Sequence, residues 1–319
     1  MSGTTLDAVV ADMIKTKHSL GFRFKKEARV LHQFTAWCQQ AGCPTGPVTQ
    51  DVVAGFLYEQ SLRASTIRRN EIVVAGLASH AATMGVTIWA PTPSSPVRVY
   101  RQSPYVFTDD EICRFFHAVD TQPISCFSIK HLVDPVLFRV LYATGLRISE
   151  ALKLTIRDVD LDRQTFDIKD SKNGKDRIVP FTRRLAETVA GYIQAAHPAP
   201  EPGDYLFYTR HPSRLVDQSL IYLRFRDYLL QADIPHFAPG GPTVHSFRHG
   251  LAVRRLKLWA EAGADMTAML PYLSAYLGHV DLRGTQYYLR LTTDLYPHIA
   301  AQAQLRFGYV IPVATQEQP

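Results

Sequence analysis

The first 90 residues alternate polar stretches with apolar residues spaced three and four apart, the repeat of an amphipathic α-helix. Four such segments occur, and a glycine, which commonly ends helices, follows the last of them. The stripes are Leu6, Val9, Val10 and Met13; Val30, Leu31, Phe34 and Cys38; Val52, Val53, Phe56 and Leu57; and Ile67, Val74, Leu77 and Ala81. The pattern predicts a four-helix domain over residues 1–90.

The pattern breaks at residue 91, where four prolines and three serines occur within fourteen residues. Because proline lacks an N–H and disfavours both helix and central strand, residues 91–104 are predicted to form a linker. Thr108 and Glu111 then form a capping box that begins a helix, with Ile112, Phe115, Phe116 and Val119 on its buried side. A second domain is therefore expected over residues 105–319, ending in a polar tail.

The second domain mixes helical and strand patterns. A helix is predicted to end at Gly145, and two alternating β-prone stretches, at about residues 164–169 and 177–181, flank the tight-turn pair Asn173-Gly174. Further helices are predicted at about residues 183–195 and 217–231, and beyond residue 244 on a core stripe of Val244, Phe247, Leu251 and Leu258. The chain is thus mainly α-helical with a small antiparallel β-sheet, and its second domain is of the α+β class.

Composition narrows the class of protein. Apolar residues make up 46% of the chain, as in globular proteins, and no apolar run approaches the roughly 20 residues of a membrane span. The acidic residues near the start are unlike a signal peptide, so a cytoplasmic location is expected. Four cysteines without CxxC spacing, Cys38, Cys43, Cys113 and Cys126, indicate reduced and mostly structural thiols rather than a zinc site.

The net charge of +6 points to a polyanionic partner, and it is unevenly placed. Eleven of the 35 Lys and Arg residues, but only six of the 29 Asp and Glu residues, lie in the first 101 positions. A solvated helical surface would explain any one of these cations, but as a group they are predicted to contact DNA phosphates. They are Arg23, Lys25, Lys26, Arg29, Arg63, Arg68 and Arg69.

Six residues in the second domain suit chemistry on a phosphodiester, with two arginines to hold oxygens, a lysine and histidines to move protons, and a tyrosine to attack. They are Arg147, Lys172, His245, Arg248, His279 and Tyr288. Glu150 is spaced to orient Arg147, and Lys175 and Arg254 are predicted as further contacts to DNA phosphates. Each has a more ordinary interpretation alone, as a surface ion pair or a solubilising lysine. A metal site at His245 and His249 is the least favoured alternative because no third ligand is at hand.

The order of these residues resembles that of the tyrosine recombinase (phage integrase) family. The matching motifs are A-T-G-L-R-x-x-E, a lysine on a β-turn, H-x-x-R, L-G-H, and a tyrosine nine residues later, over about residues 105–307. The resemblance implies a core-binding domain and a catalytic domain that clamp DNA. It makes Arg147 and Arg248 the phosphate-binding arginines, and Tyr288 rather than Tyr287 the nucleophile. One departure is Leu289-Arg290, where many relatives have Thr-His.

The resemblance also implies an activity and partners. The protein is expected to be a site-specific recombinase that acts on double-stranded DNA through a 3′-phosphotyrosyl intermediate, without metal or nucleotide cofactor, at the nucleoid. Strand exchange implies four subunits. The segment of residues 293–305 is expected to dock on a neighbour, and the alternative is a helix packed against its own chain. Integration, excision or transposition of a mobile element is favoured. The alternatives are chromosome or plasmid dimer resolution, relaxation of DNA as by a type IB topoisomerase, and a non-catalytic DNA-binding regulator.

Overall fold

The computed structural model describes residues 4–59, 61–94, 104–169, 176–237, 240–279 and 281–289, with residues 283, 287 and 289 described by their backbone alone. Two compact units divide the chain, Met1–Arg101 and Gln102–Pro319. Their boundary falls within the stretch predicted as a linker. Among the described helices, none combines the length and the apolar composition that a bilayer crossing requires.

In its described residues, the first unit has four amphipathic helices around an apolar core. Their predicted stripes are buried, except that Val52 and Ile67 are half-buried, and Val52 packs against the edge of the core. Phe34 is fully buried and packs edge-on against Phe56, with ring centroids 5.1 Å apart. The helices are α1 (Leu6–Ser19), α2 (Lys25–Gln40), α3 (Gln50–Tyr58) and α4 (Ala64–Thr83).

The second unit is mainly helical around a core rich in aromatic rings. Phe115 lies at its centre, with ring centroids 5.4 Å from Phe138 and Phe225 and 5.3 Å from Phe247. The predicted capping box at Thr108 is present and begins the first helix of the unit. The helices described are α5 (Asp109–Asp120), α6 (Lys130–Thr144), α7 (Ile148–Ala151), α8 (Arg183–Ala196), α9 (Gln218–Gln231), α10 (Ser246–Glu261), α11 (Met266–Leu277) and α12 (Arg283–Leu289).

A three-stranded antiparallel sheet, with strand order β1-β2-β3, lies in the same unit. Its strands are β1 (Val159–Asp160), β2 (Thr165–Ile168) and β3 (Arg177–Pro180). The predicted hairpin is β2 and β3, in which Phe166 lies opposite Val179. β1 was not predicted, because two residues are too few to show an alternating pattern. The turn that carries Lys172 and Lys175 lies outside the described residues.

The buried face of α10 differs from the prediction in its second half. The three predicted core residues nearest the start of α10 are buried, but Leu258 is 54% exposed. Leu256 and Ala260 are buried instead. The reason is a change of neighbour, since this half of α10 leaves the main core and packs into a separate apolar cluster with α11 and α12.

All four cysteines are free thiols. Cys38 is buried in the first unit, where the Cys43 thiol donates to its carbonyl oxygen at 3.3 Å and burial raises its pKa to about 12. The structural role predicted for the cysteines is wrong for Cys113 and Cys126, whose side chains are exposed and fill no space in the core.

Candidate active site

Arg147 lies between the end of one helix and the start of the next. Helix α6 stops at Gly145, which adopts a left-handed conformation (φ 62°) and turns the chain so that Arg147 becomes the N-cap of α7. The Arg147 N–H donates to one carboxylate oxygen of Glu150 at 3.0 Å, and its Nη1 donates to the other at 2.7 Å. The predicted orienting role of Glu150 thus has a direct geometric basis.

A second arginine, Arg177 at the start of β3, also pairs with Glu150. Its Nη2 and Nη1 donate to the carboxylate at 2.8 and 3.2 Å, and its Nε donates to the Tyr276 carbonyl at 3.0 Å. Burial alone would raise the pKa of Glu150, but the hydrogen bonds from Arg177 and from the Arg147 N–H lower it to about 2. Glu150 is therefore a permanent anion between two cations.

Sequence analysis missed Arg177, although its strand held a signal. Side chains alternate along a strand, so Arg177 lies on the same face of β3 as Val179, which is fully buried. An arginine on a buried face needs an acidic partner, because an unpaired charge there is costly. That reasoning predicts a carboxylate nearby but does not identify Glu150, which is 27 residues away in the chain.

Arg248 is buried, with only 2% of its surface exposed. Its Nη1 donates to the Gly145 carbonyl at 2.8 Å, and its Nη2 donates to the Leu277 carbonyl. These carbonyls lie at the C-terminal ends of α6 and α11, where helix carbonyls lack partners within the helix and carry partial negative charge. Burial, followed by the charge of Arg147, lowers the pKa of Arg248 to about 10, so it remains a cation at neutral pH.

Arg147 makes a matching contact with the end of α11. Its Nη2 donates to the Gly278 carbonyl at 3.0 Å. Gly278 caps α11 with a φ of 65°, and a Cβ at this position would lie 2.8 Å from Nη1 of Arg177. Glycine is therefore required both by the backbone conformation and by the close approach of Arg177.

Tyr288, on α12, is 3% exposed and lies among histidines. Its hydroxyl oxygen is 3.1 Å from Nδ1 of His249, and its ring stacks on that of His279, with centroids 6.2 Å apart. His249 packs edge-on against His245, with centroids 4.6 Å apart. Nδ1 of His279 lies at hydrogen-bonding distance, 2.8 Å, from the hydroxyl of Thr285.

The three histidines are neutral at physiological pH. Protein packed around the rings, together with the positive charges of Arg147 and Arg248, lowers the pKa of both His245 and His279 to about 4. For His249, burial and then its neighbours His245 and Arg248 lower the pKa to about 3. Part of His245 nevertheless reaches solvent, so an approaching ligand can meet this ring.

The structure brings together five of the six residues predicted for phosphodiester chemistry, while Lys172 lies outside the described residues. Arg147 and His245 are the N-caps of α7 and α10, and Arg248 lies on α10. His279 follows the end of α11, Tyr288 lies on α12, and Glu150 pairs with Arg147. His249 was considered only as a metal ligand beside His245. In the described part of the chain, no group of three His, Cys, Asp or Glu side chains could hold a metal ion. The contact between His249 and Tyr288 was not predictable, because the periodicity of each helix does not show how α12 packs against α10.

The cations predicted to contact DNA differ in exposure. Six of the seven in the first unit are exposed, and Arg68 is half-buried. Arg254 in the second unit is engaged within the fold, since its guanidinium lies 4.2 Å from the centre of the Tyr142 ring and donates to the Tyr142 hydroxyl. Lys175 lies outside the described residues.

Known proteins resemble this chain over most of its length. Residues 105–294 match the model of the phage integrase family. A protein of Sinorhizobium fredii provisionally named integrase/recombinase y4rB is 28% identical over 302 residues, covering 92% of this chain and 95% of its own. Tyrosine recombinase XerD of Neisseria meningitidis is 32% identical over 208 residues, 64% of this chain and 62% of its own.

Solved structures share the fold. The Tn1549 transposon integrase in complex with transposon right end DNA has a TM-score of 0.64 at 16% identity, covering 95% of this chain and 99% of that one. The XerH site-specific recombinase bound to palindromic difH substrate has a TM-score of 0.62 at 18% identity, covering 96% of this chain and 85% of that one. Because the family model matches more than half of the residues, the chain belongs to the phage integrase family of tyrosine recombinases.

Proposed function

We propose that this tyrosine recombinase cuts and rejoins DNA strands at specific sites with Tyr288 as the nucleophile. The phenol oxygen attacks the scissile phosphorus, the 5′-oxygen of the next nucleotide leaves, and a 3′-phosphotyrosyl bond forms. The bond energy is kept until a 5′-hydroxyl reverses the reaction, so no nucleotide cofactor is needed. The observation that carries the proposal is the placement of Tyr288, whose hydroxyl lies 3.1 Å from Nδ1 of His249 and whose ring stacks on that of His279.

Arg147 and Arg248 are proposed to hold the non-bridging oxygens of the scissile phosphate. Negative charge grows on these oxygens in the pentacoordinate transition state, and a preorganised donor at such a position contributes about 3–4 kcal/mol. Each guanidinium is fixed by helix-end carbonyls before DNA arrives. Little reorganisation is then needed during the reaction.

Proton transfers are assigned to the remaining residues. Lys172 protonates the leaving 5′-oxygen, a role that rests on its place in the sequence motif. His279 donates a hydrogen bond to a non-bridging oxygen, and His245 assists proton transfer. Glu150 positions Arg147 through the two hydrogen bonds described above. The cations assigned to the site are the side chains of Arg147, Arg248 and Lys172, so we expect EDTA to leave cleavage unchanged.

The substrate is proposed to be double-stranded DNA with specific recombination sites, gripped in part by the exposed cations of the first unit. The match to y4rB over nearly the whole chain and the fold shared with a transposon integrase favour integration, excision or transposition of a mobile element. Exchange between two duplexes involves four cut strands, so we propose a tetramer on DNA. Association with the nucleoid follows from this substrate.

The test is a search for the covalent adduct. A binding site is first selected from a pool of random duplexes, then radiolabelled and nicked near the cleavage point so that the cut is irreversible. Wild-type protein should yield a labelled band that survives denaturing electrophoresis. Tyr288→Phe should abolish this band and leave the Kd for DNA within about twofold, since only one hydroxyl is lost.

Tyr287→Phe is the matched control for that substitution. We expect it to form the adduct at the rate of the wild type. An adduct that persists in Tyr288→Phe and disappears in Tyr287→Phe would show that the neighbouring tyrosine is the nucleophile.

A plasmid assay tests recombination itself. Two copies of the selected site in one supercoiled plasmid should give deletion or inversion products. Relaxation of supercoils on a plasmid that lacks the site, without such products, would instead indicate topoisomerase activity.

A further inference from the structure

We infer that His249 is a positioning residue for Tyr288, holding the attacking oxygen in place by accepting the hydrogen bond of the phenol. The inference rests on the proposed function, in which Tyr288 is the nucleophile. It concerns a residue outside the set of six that the sequence motifs indicate.

The contact is made by the reacting atom itself. The Tyr288 oxygen lies 3.1 Å from Nδ1 of His249, within hydrogen-bonding range, and the two ring centroids are 5.5 Å apart at an angle of 57°. Tyr288 meets His279 differently, through stacked ring faces at 6.2 Å. A stacked face sets the plane of the phenol ring, whereas the hydrogen bond sets where its oxygen lies.

His249 is itself fixed by its surroundings, as a residue that positions the Tyr288 hydroxyl must be. It lies on α10 immediately after Arg248, whose guanidinium is tied to the ends of α6 and α11. Its ring is half-buried and packs edge-on against His245, at an interplanar angle of 88°. The same helix therefore places both the phosphate-binding arginine and the partner of the nucleophile.

The protonation state of His249 suits an acceptor. Burial and the nearby His245 and Arg248 lower its pKa to about 3, so the ring is neutral at physiological pH. A neutral imidazole whose proton is on Nε2 has a lone pair on Nδ1 that can accept the phenol O–H. A protonated ring could not accept it.

Three substitutions test the inference in single-turnover cleavage at saturating DNA. His249→Ala should slow cleavage about tenfold, the effect of losing one hydrogen bond to the reacting atom. His249→Asn places an amide oxygen near the position of Nδ1 and should stay within about threefold of the wild type. His249→Gln carries its oxygen one bond further out and should be as slow as His249→Ala.

The asparagine and glutamine variants are similar in polarity, so their comparison does not depend on the alanine variant being well folded. Equal cleavage rates for His249→Asn and His249→Gln would overturn the inference. His117→Ala, an exposed histidine on α5, is the control for histidine removal and should cleave at the wild-type rate.

A modified substrate separates His249 from a merely structural role. If the leaving 5′-oxygen is replaced by sulfur, which departs without protonation, cleavage by Lys172→Ala should be restored. His249→Ala should stay about tenfold slower than the wild type on the same substrate, because its defect lies at the nucleophile. Restoration of His249→Ala by sulfur would overturn the inference.

The outcomes keep the two proposals apart. If Tyr288→Phe abolishes the adduct and His249→Ala cleaves at the wild-type rate, only the role of His249 fails. If Tyr288→Phe still forms the adduct, the proposed function fails first.

Discussion

Glu150 shows how much a single buried side chain can organise. Its two oxygens accept hydrogen bonds from Arg147 and Arg177. These hydrogen bonds keep the pKa of the buried carboxyl low, so the low pKa of Glu150 requires both arginines to remain close. Removal of one partner from a buried ion pair is costly because a charge is left without compensation. The carboxylate thus couples the start of β3 to the arginine that is proposed to hold phosphate.

We therefore expect Arg177→Gln to lower the free energy of unfolding by about 3 kcal/mol. Cleavage of DNA should also slow, because Glu150, which positions Arg147, loses its second arginine. Arg183→Gln is the control, since the Arg183 and Glu187 side chains are 86% and 66% exposed and surface pairs contribute little, below about 1 kcal/mol. Urea denaturation of the wild type and the two variants measures the stability changes, and a cleavage assay measures the rates. Equal losses in the two variants would contradict the prediction.

Sequence alone brought out most of the residues to which the proposed function assigns the chemistry. Arg147, His245, Arg248, His279 and Tyr288 stand in recognisable motifs, and the structure places them together. Arg177 and His249 were missed for a shared physical reason. Each contacts a residue far away in the chain, Arg177 with Glu150 and His249 with Tyr288. Side-chain alternation and helical spacing do not predict such distant contacts.

At the scale of elements, the site is made by helix ends. Gly145 ends α6 and offers its carbonyl to Arg248, while Gly278 ends α11 and offers its carbonyl to Arg147. Both glycines have positive φ, and a Cβ at either would lie under 3 Å from a neighbouring side chain. The caps of two helices therefore hold the arginines.

Gly278→Ala should lower the free energy of unfolding by about 1–3 kcal/mol, because the left-handed conformation is strained for alanine. It should also displace Arg177 and slow cleavage. Gly191→Ala is the matched control within helix α8, where a Cβ would meet nothing within 4 Å and alanine should stabilise the helix by about 0.5–1 kcal/mol. Thermal unfolding should thus shift in opposite directions. A shift in the same direction would contradict the role given to Gly278.

Most elements could be predicted because their apolar residues repeat with a clear period. The exceptions follow from packing. Leu258 has the spacing of a core residue, but the second half of α10 meets different neighbours and turns another side inward. β1 is only two residues long, so its existence depends on pairing with β2 rather than on its own sequence.

At the scale of the whole molecule, burial of three histidines close to positive charges makes the protein sensitive to acid. The pKa values of His245, His249 and His279 lie at about 4, 3 and 4 in the folded chain, below the ordinary value near 6.5. As pH falls below about 6.5, the unfolded chain takes up protons that the folded chain does not. Stability is therefore full above this pH and is lost as pH falls towards 4.

We expect the free energy of unfolding to fall steadily between pH 7 and pH 5. His249→Asn removes one of the three groups and should reduce this slope. Urea denaturation at a series of pH values measures it. An unchanged slope in the variant would argue against a depressed pKa for His249.

DNA should reverse the effect, because a phosphate placed between the arginines brings negative charge close to the histidines and raises their pKa. Binding near pH 5.5 should therefore take up protons. Titration calorimetry in two buffers with different enthalpies of ionisation detects the uptake. Binding heats that do not depend on the buffer would show that the phosphate does not reach this site.

The contacts that Arg147 and Arg248 make with helix-end carbonyls have a consequence during synthesis of the chain. Arg147 depends on a carbonyl 131 residues further on, and Arg248 on one 29 residues further on. A ribosome that has completed α10 has produced both arginines, but neither the end of α11 nor Tyr288. On the proposed function, a nascent chain at that stage can attach to DNA through its first unit and cannot break a strand. Under that proposal, cleavage is expected only after α11 and α12 have been made.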